Sequence, residues 1–198
     1  MFRALALALL LALPACRTDR HADWAKVCET RASWANDLKL PVLIPDTMLK
    51  NFLPERLDGR LGESPLGTMT RMGDRALSEA TRSYRGGPPG DTGRVEIKIA
   101  DAWLEPRATQ AIRSLASTDA VVAGRLEALG AWSERLVLPG GIGYARYDEG
   151  ERLAQAQALI GDRFIASATV AQAADAQDAA QVLRALDTLA LAHLAQAQ

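Results

Sequence analysis

Histidine is almost missing from this chain of 198 residues: His21 and His193 are the whole supply. A metal site draws on His, Cys or carboxylates at ligand spacing, and the two histidines lie 172 residues apart, one in the leader and one near the C-terminal end. A hydrolase triad also needs an imidazole, and no serine sits in a nucleophile elbow. Cysteine is equally scarce, at Cys16 and Cys28. There is no basic excess, with 23 Lys and Arg against 24 Asp and Glu. The phosphate attraction that drives nucleic-acid binding therefore has no source. After the opening residues no apolar run approaches the roughly 20 residues of a membrane-spanning helix. No catalytic residue, metal site or cofactor is expected from these counts.

What is present begins at the N-terminus. Met1-Phe2-Arg3 places one positive charge before a run, Ala4 to Leu13, built from Ala and Leu alone. Ala15 supplies a small residue after it, and from Arg17 the composition turns polar at once. A charged start, an apolar middle and a small residue at the cut are the layout of a secretory signal.

The residues at that edge, Leu13-Pro14-Ala15-Cys16, resemble the lipobox of bacterial lipoproteins. Pro14 stands where that pattern usually carries a small or β-branched residue. The resemblance covers residues 1–16 and implies a diacylglyceryl thioether on Cys16, cleavage before it and acylation of the new amino group. The alternative is an ordinary signal peptide cut nearby, leaving Cys16 a thiol free to pair with Cys28. Each buried CH₂ contributes about 0.8 kcal/mol to membrane binding, so two or more chains anchor stably where one does not. By the same resemblance, Arg17 in place of an aspartate implies sorting to the outer membrane, facing the periplasm, over retention at the inner one. Losing Arg3 with the signal takes the basic count from 23 to 22, against 24 acidic groups. With Cys16 lipidated, Cys28 reads as a half-buried helix thiol.

The chain thus divides into a signal peptide at 1–15, a lipid-anchored leader with a short helix at 16–40, and one domain at 41–198. In the leader, Asp23 to Leu38 has helical spacing, with Asp23 as N-cap. Residues 39–65 are rich in Pro and Gly and read as a turn-rich connection. Strands are predicted at Leu66–Met72, Leu77–Arg85 and Arg94–Ala100, the last alternating strictly with Val95, Ile97 and Ile99 on one face. Gly86 to Asp91 reads as an open hairpin loop. A helix follows, with Pro106 in its first turn and Ala108, Ile112 and Leu115 on one side. A second starts near Thr118, with Val122, Leu126, Leu129 and Trp132 at helical spacing. Strands are then predicted at Leu136–Leu138, Gly143–Tyr147, Leu153–Ile160 and Arg163–Val170, with Gly161-Asp162 as a tight turn. The Ala/Gln stretch 154–158 is helical by propensity and strand-like by alternation. One amphipathic helix, Asp178–Ala195, closes the chain, with Val182, Leu183, Leu186, Leu189, Ala190 and Leu194 as its stripe and His193 packed at the stripe's edge.

Strands grouped in runs argue for an α+β fold: a largely antiparallel sheet of about six to seven strands packed by helices. Arg94–Asp101 aligns with Arg163–Val170 at an offset of 69, a faint internal repeat. The arrangement resembles the PsbP-like α/β/α sandwich in topology, which implies nothing about function.

Pro139-Gly140-Gly141-Ile142-Gly143 lacks the Lys-Ser/Thr of a phosphate loop and reads as a tight turn. Tyr147-Asp148-Glu149-Gly150-Glu151 lacks calcium-loop spacing and reads as a solvated hairpin tip. Arg82, Tyr84, Arg85, Tyr144, Arg146 and Tyr147 flank the two irregular loops and form the candidate interface, since Arg and Tyr are favoured there. The leading expectation is a non-enzymatic envelope lipoprotein that binds a partner protein or envelope component. A carrier of a small apolar ligand or lipid, and an enzyme with an unrecognised carboxylate site, are the alternatives.

Overall fold

A computed structural model describes residues 43–72, 75–86, 93–102, 106–117 and 131–197. Cys16, Cys28, the leader helix, the 118–130 helix and most of the Gly86–Asp91 loop lie outside the described residues.

Among the described residues, nine antiparallel strands form one sheet: β1 Arg56–Leu57, β2 Arg60–Gly62, β3 Leu66–Met72, β4 Arg75–Arg85, β5 Val95–Asp101, β6 Ala131–Leu138, β7 Gly141–Asp148, β8 Leu153–Ile160 and β9 Phe164–Ala171. Their order is β1-β2-β4-β5-β9-β8-β7-β6, and β3 lies on the same edge of β4 as β2. The helices are α1 Asp46–Leu49, α2 Pro106–Ala116, α3 Ala176–Arg184 and α4 Thr188–Gln196. The α+β class holds. The strand count exceeds six to seven partly because the Pro/Gly-rich connection folds into α1, a 3-10 turn, β1 and β2.

Alternation sets the two faces. In β5, Val95, Ile97 and Ile99 are fully buried, while the side chains of Glu96 and Lys98 are each 45% exposed. The Ala/Gln stretch is strand, because β8 is paired along its length with β7 and β9. Its Ala154, Ala156 and Ala158 point to the same face as Ala166 and Ala168 of β9, and all five are buried. Small residues there let α3 ride low on β8 and β9, with Ala176, Ala179, Ala180 and Leu183 buried against them. The segment Ile44–Leu53 covers the β4–β5 side of the same face.

Buried Ala100, Ala102, Ile112, Ala116 and Leu159 stand outside this main cluster. Leu159 projects away from Ala158 and Ile160, and α2 packs on β6–β8, so α2 covers one end of the second face. Its buried set is Thr109, Ile112 and Ala116; Leu115, expected on the packed side, is 41% exposed.

The closing helix is two helices, not one. Asp187 ends the expected run by accepting a hydrogen bond from Ala190 N, as Asp175 does from Gln177 N at the start of α3. An N-cap competes with helix continuation. The break lets Leu186 and Leu191 both be buried, leaving Leu189 half exposed. His193 is exposed rather than packed at the stripe's edge. Trp132, expected in the 118 helix, lies in β6.

The offset of 69 holds for the β5–β9 pair alone, since β4 raised by 69 falls across the turn between β7 and β8. Residue numbers raised by 69 carry β5 onto β9, and Pro106–Ala116 onto 175–185, which brackets α3. The hydrogen bonds Ala102 N to Arg163 O and Ala171 N to Arg94 O, 3.0 and 2.9 Å, are equivalent under this shift. The pseudo-twofold passes between the paired residues Lys98 and Ser167. It stops at the helices, since α2 and α3 cover opposite faces.

Candidate functional site

Two polar arrangements stand out, one inside and one outside. Inside, Asp101 and Arg163 are 1% and 2% exposed. Arg163 donates from Nε to Oδ1 at 3.0 Å and from Nη2 to Oδ2 at 2.7 Å. Ile44 N donates to Oδ2 at 2.8 Å. A buried carboxylate held this way fastens the Ile44 segment to the sheet. Ser78, paired with Asp101 across β4–β5, is fully buried, and its hydroxyl has no hydrogen-bond partner among the described residues.

Outside, the second face is uncovered by described residues beyond α2. Glu96 and Lys98 of β5, Gln155 and Gln157 of β8, and Ser167 and Thr169 of β9 line a shallow depression of about 250 Å³. The pseudo-twofold runs through its centre. Tyr144 and Arg146 of β7 extend it. The Tyr144 hydroxyl donates to Gln157 Oε1 at 3.0 Å, and Arg146 donates to Gln155 Oε1. Both glutamine oxygens being taken, their amide nitrogens are left as donors. With the Ser167 and Thr169 hydroxyls they give a strip of hydrogen-bond donors without protein partners among the described residues. Burial pushes the Tyr144 phenol up, opposed by Arg146, so it remains a neutral donor at physiological pH. Lys98 pairs with Glu79 at 3.3 Å and Glu96 with Arg94 at 3.6 Å.

A second depression, about 420 Å³, lies at the start of α3 among Glu134, Tyr147, Glu149, Asp175 and Gln177. Three of its side chains are held by structural hydrogen bonds. Asp175 caps α3, Glu134 accepts from Gln177 Nε2 at 2.6 Å, and the Tyr147 hydroxyl donates to Ala173 O at 3.2 Å. No group of three or more His, Cys, Asp or Glu among the described residues could hold a metal ion.

The six candidate interface residues separate. Tyr84 is fully buried, and its hydroxyl donates to Pro54 O at 2.8 Å. Arg82 donates from Nη1 to Leu53 O and Pro54 O at 2.9 and 2.7 Å. Both share the face of Ala80 and pin the 44–54 segment, Tyr84 fully buried and Arg82 partly so; Tyr147 is likewise turned to the helix side. Burial raises the Tyr84 phenol to about 12, against the lowering effect of Arg82. Arg85 is exposed and pairs with Glu63 at 2.7 Å. Tyr144 and Arg146 remain on the open face. Sequence reasoning missed Gln155, Gln157, Ser167 and Thr169, although the alternation of Gln with Ala in β8 was the available signal.

A sheet with one helix-packed face and one polar face, open among the described residues beyond α2, defines the class as an α+β fold. Compared with family models, curated proteins and solved structures, the chain matches none. No helix among the described residues is long and apolar enough to cross a membrane.

Proposed function

We propose that this chain is a non-enzymatic lipoprotein of the bacterial envelope, held by lipid on Cys16 at the outer membrane and facing the periplasm. Its open sheet face binds an acceptor-rich envelope component such as a glycan. The observation that carries this reading is the strip of donors without partners among the described residues, the Gln155 and Gln157 amides, fixed by Arg146 and Tyr144, with Ser167 and Thr169. A ligand rich in hydroxyl and carbonyl oxygens satisfies such donors, which otherwise stay with water. Helices on both faces support the finer view of the architecture as a PsbP-like α/β/α sandwich.

A lipid-carrier reading finds less support, because the interface between β8–β9 and α3 is filled by closely packed alanines. An enzyme reading also finds less, because Asp101 is engaged by Arg163 and Ile44.

The test is co-sedimentation of the mature protein with isolated cell-wall glycan. Wild-type protein should pellet, and Gln155→Leu with Gln157→Leu should leave most of it in the supernatant while its unfolding midpoint stays put. A wild type that does not pellet, or a variant that pellets equally, sinks the reading.

A further inference from the structure

Strand β3 pairs with β4 along its whole length, and no described strand pairs with its other edge. Residues 66–70, Leu-Gly-Thr-Met-Thr, are all exposed and carry no charge. Leu66 is 73% and Met69 48% exposed, on opposite faces. Proteins blunt free strand edges with lysine, proline or bulges, because unpaired N–H and C=O groups recruit other strands. The opposite edge strand, β6, carries Glu134 and Arg135; β3 has no such protection over these five residues.

We propose that this edge pairs antiparallel with β3 of a second copy of this chain, about a twofold axis at Thr68. In that register Leu66 lies opposite Thr70, Gly67 opposite Met69 and Thr68 opposite itself. No like charges meet, and a Thr–Thr cross-strand pair is favourable. On the helix side, Asp46 and Lys50 form a neutral pair, 3.1 Å apart, beside Gly67, so the twofold brings two neutral pairs to the seam. The axis stands perpendicular to the sheet and preserves its faces. Both copies' Ile44–Leu53 segments then lie on one side, as two tethers in one membrane require; only this last point rests on the anchored reading.

The test uses the full chain carrying Cys28→Ser and Thr68→Cys, oxidised in isolated membranes. A disulfide-linked species of twice the monomer mass is expected, and none from Val137→Cys on the β6 edge. Met69→Lys, which sets like charges at the seam, should turn a dimer into a monomer in sedimentation with an unchanged unfolding midpoint. Repeating sedimentation on Cys16→Ser separates the two readings: a dimer that persists there keeps this proposal even if anchoring fails. Monomeric wild type at all concentrations, equal cross-linking at Val137→Cys, or capture of a different protein at position 68 overturns it.

Discussion

Asp101 and Arg163, 62 residues apart in sequence, meet at the centre of the sheet as a buried pair with two parallel hydrogen bonds. Asp101 ends β5 and Arg163 precedes β9, so the pair closes one end of the strand pairing that joins the two halves of the sheet. Removing one partner strands the other charge away from water, which costs about 3–5 kcal/mol. Asp101→Leu should therefore lower unfolding free energy by that order in urea titration. Asp101→Leu with Arg163→Met should recover most of it, short of the roughly 1 kcal/mol of the Ile44 bond. A double variant no better than the single one would show that the pair is more than a charge balance.

Ile97 is fully buried under the 44–53 segment and its neighbours. Ile97→Ala should cost roughly 2–5 kcal/mol by leaving a cavity. Glu96→Ala, one position along and on the open face, should stay within about 0.5 kcal/mol. Equal losses, measured by urea midpoint, would mean the register of β5 is wrong.

Tyr84 gives the fold a dependence on alkaline pH. Its folded pKa, about 12, lies above the ordinary phenol value of 10.0. The unfolded chain therefore loses this proton first as pH rises. Stability is full below pH 10 and falls between pH 10 and 12, by roughly 2–3 kcal/mol over the window. Tyr84→Phe should flatten that part of the profile, while costing about 1 kcal/mol at neutral pH through the lost bond to Pro54. Parallel profiles for the two proteins would refute the assignment.

Gly140 and Gly161 sit where two turns touch α4. Their φ values are +72° and +58°, and a Cβ at each would meet Ala192 Cβ at 2.5 Å and Ala195 Cβ at 2.6 Å. Alanine at either position combines left-handed strain, about 1–2 kcal/mol, with overpacking against the helix. Thermal unfolding should show a clear loss for both, and none for Gly150→Ala, whose nearest atom is the Asp148 carboxylate at 3.4 Å.

The anchor has its own test. Cys16→Ser should move the protein from the membrane fraction to the soluble one. A variant still bound to membranes, or a mature wild type without acyl mass at its N-terminus, would end the lipoprotein reading.

By itself the sequence determined the pieces whose signal is local. Strict alternation in β5, Pro106 at the start of α2 and the Gly161-Asp162 turn are written in neighbouring residues, because side-chain direction and backbone torsion repeat along the chain. The offset of 69 was legible for the same reason, though faint. Tertiary structure decided what periodicity leaves open, namely which face each strand shows to what. In β4, Ser78, Ala80, Arg82 and Tyr84 alternate with Leu77, Glu79, Thr81 and Ser83, and neither row is plainly apolar. Only the 44–54 segment lying over one row turned Arg82 and Tyr84 inward. The Ala/Gln stretch has the propensity of a helix, and pairing on both sides made it a strand. The meeting of Asp101 with Arg163 depends on β5 lying beside β9, a contact between distant residues that no local pattern encodes.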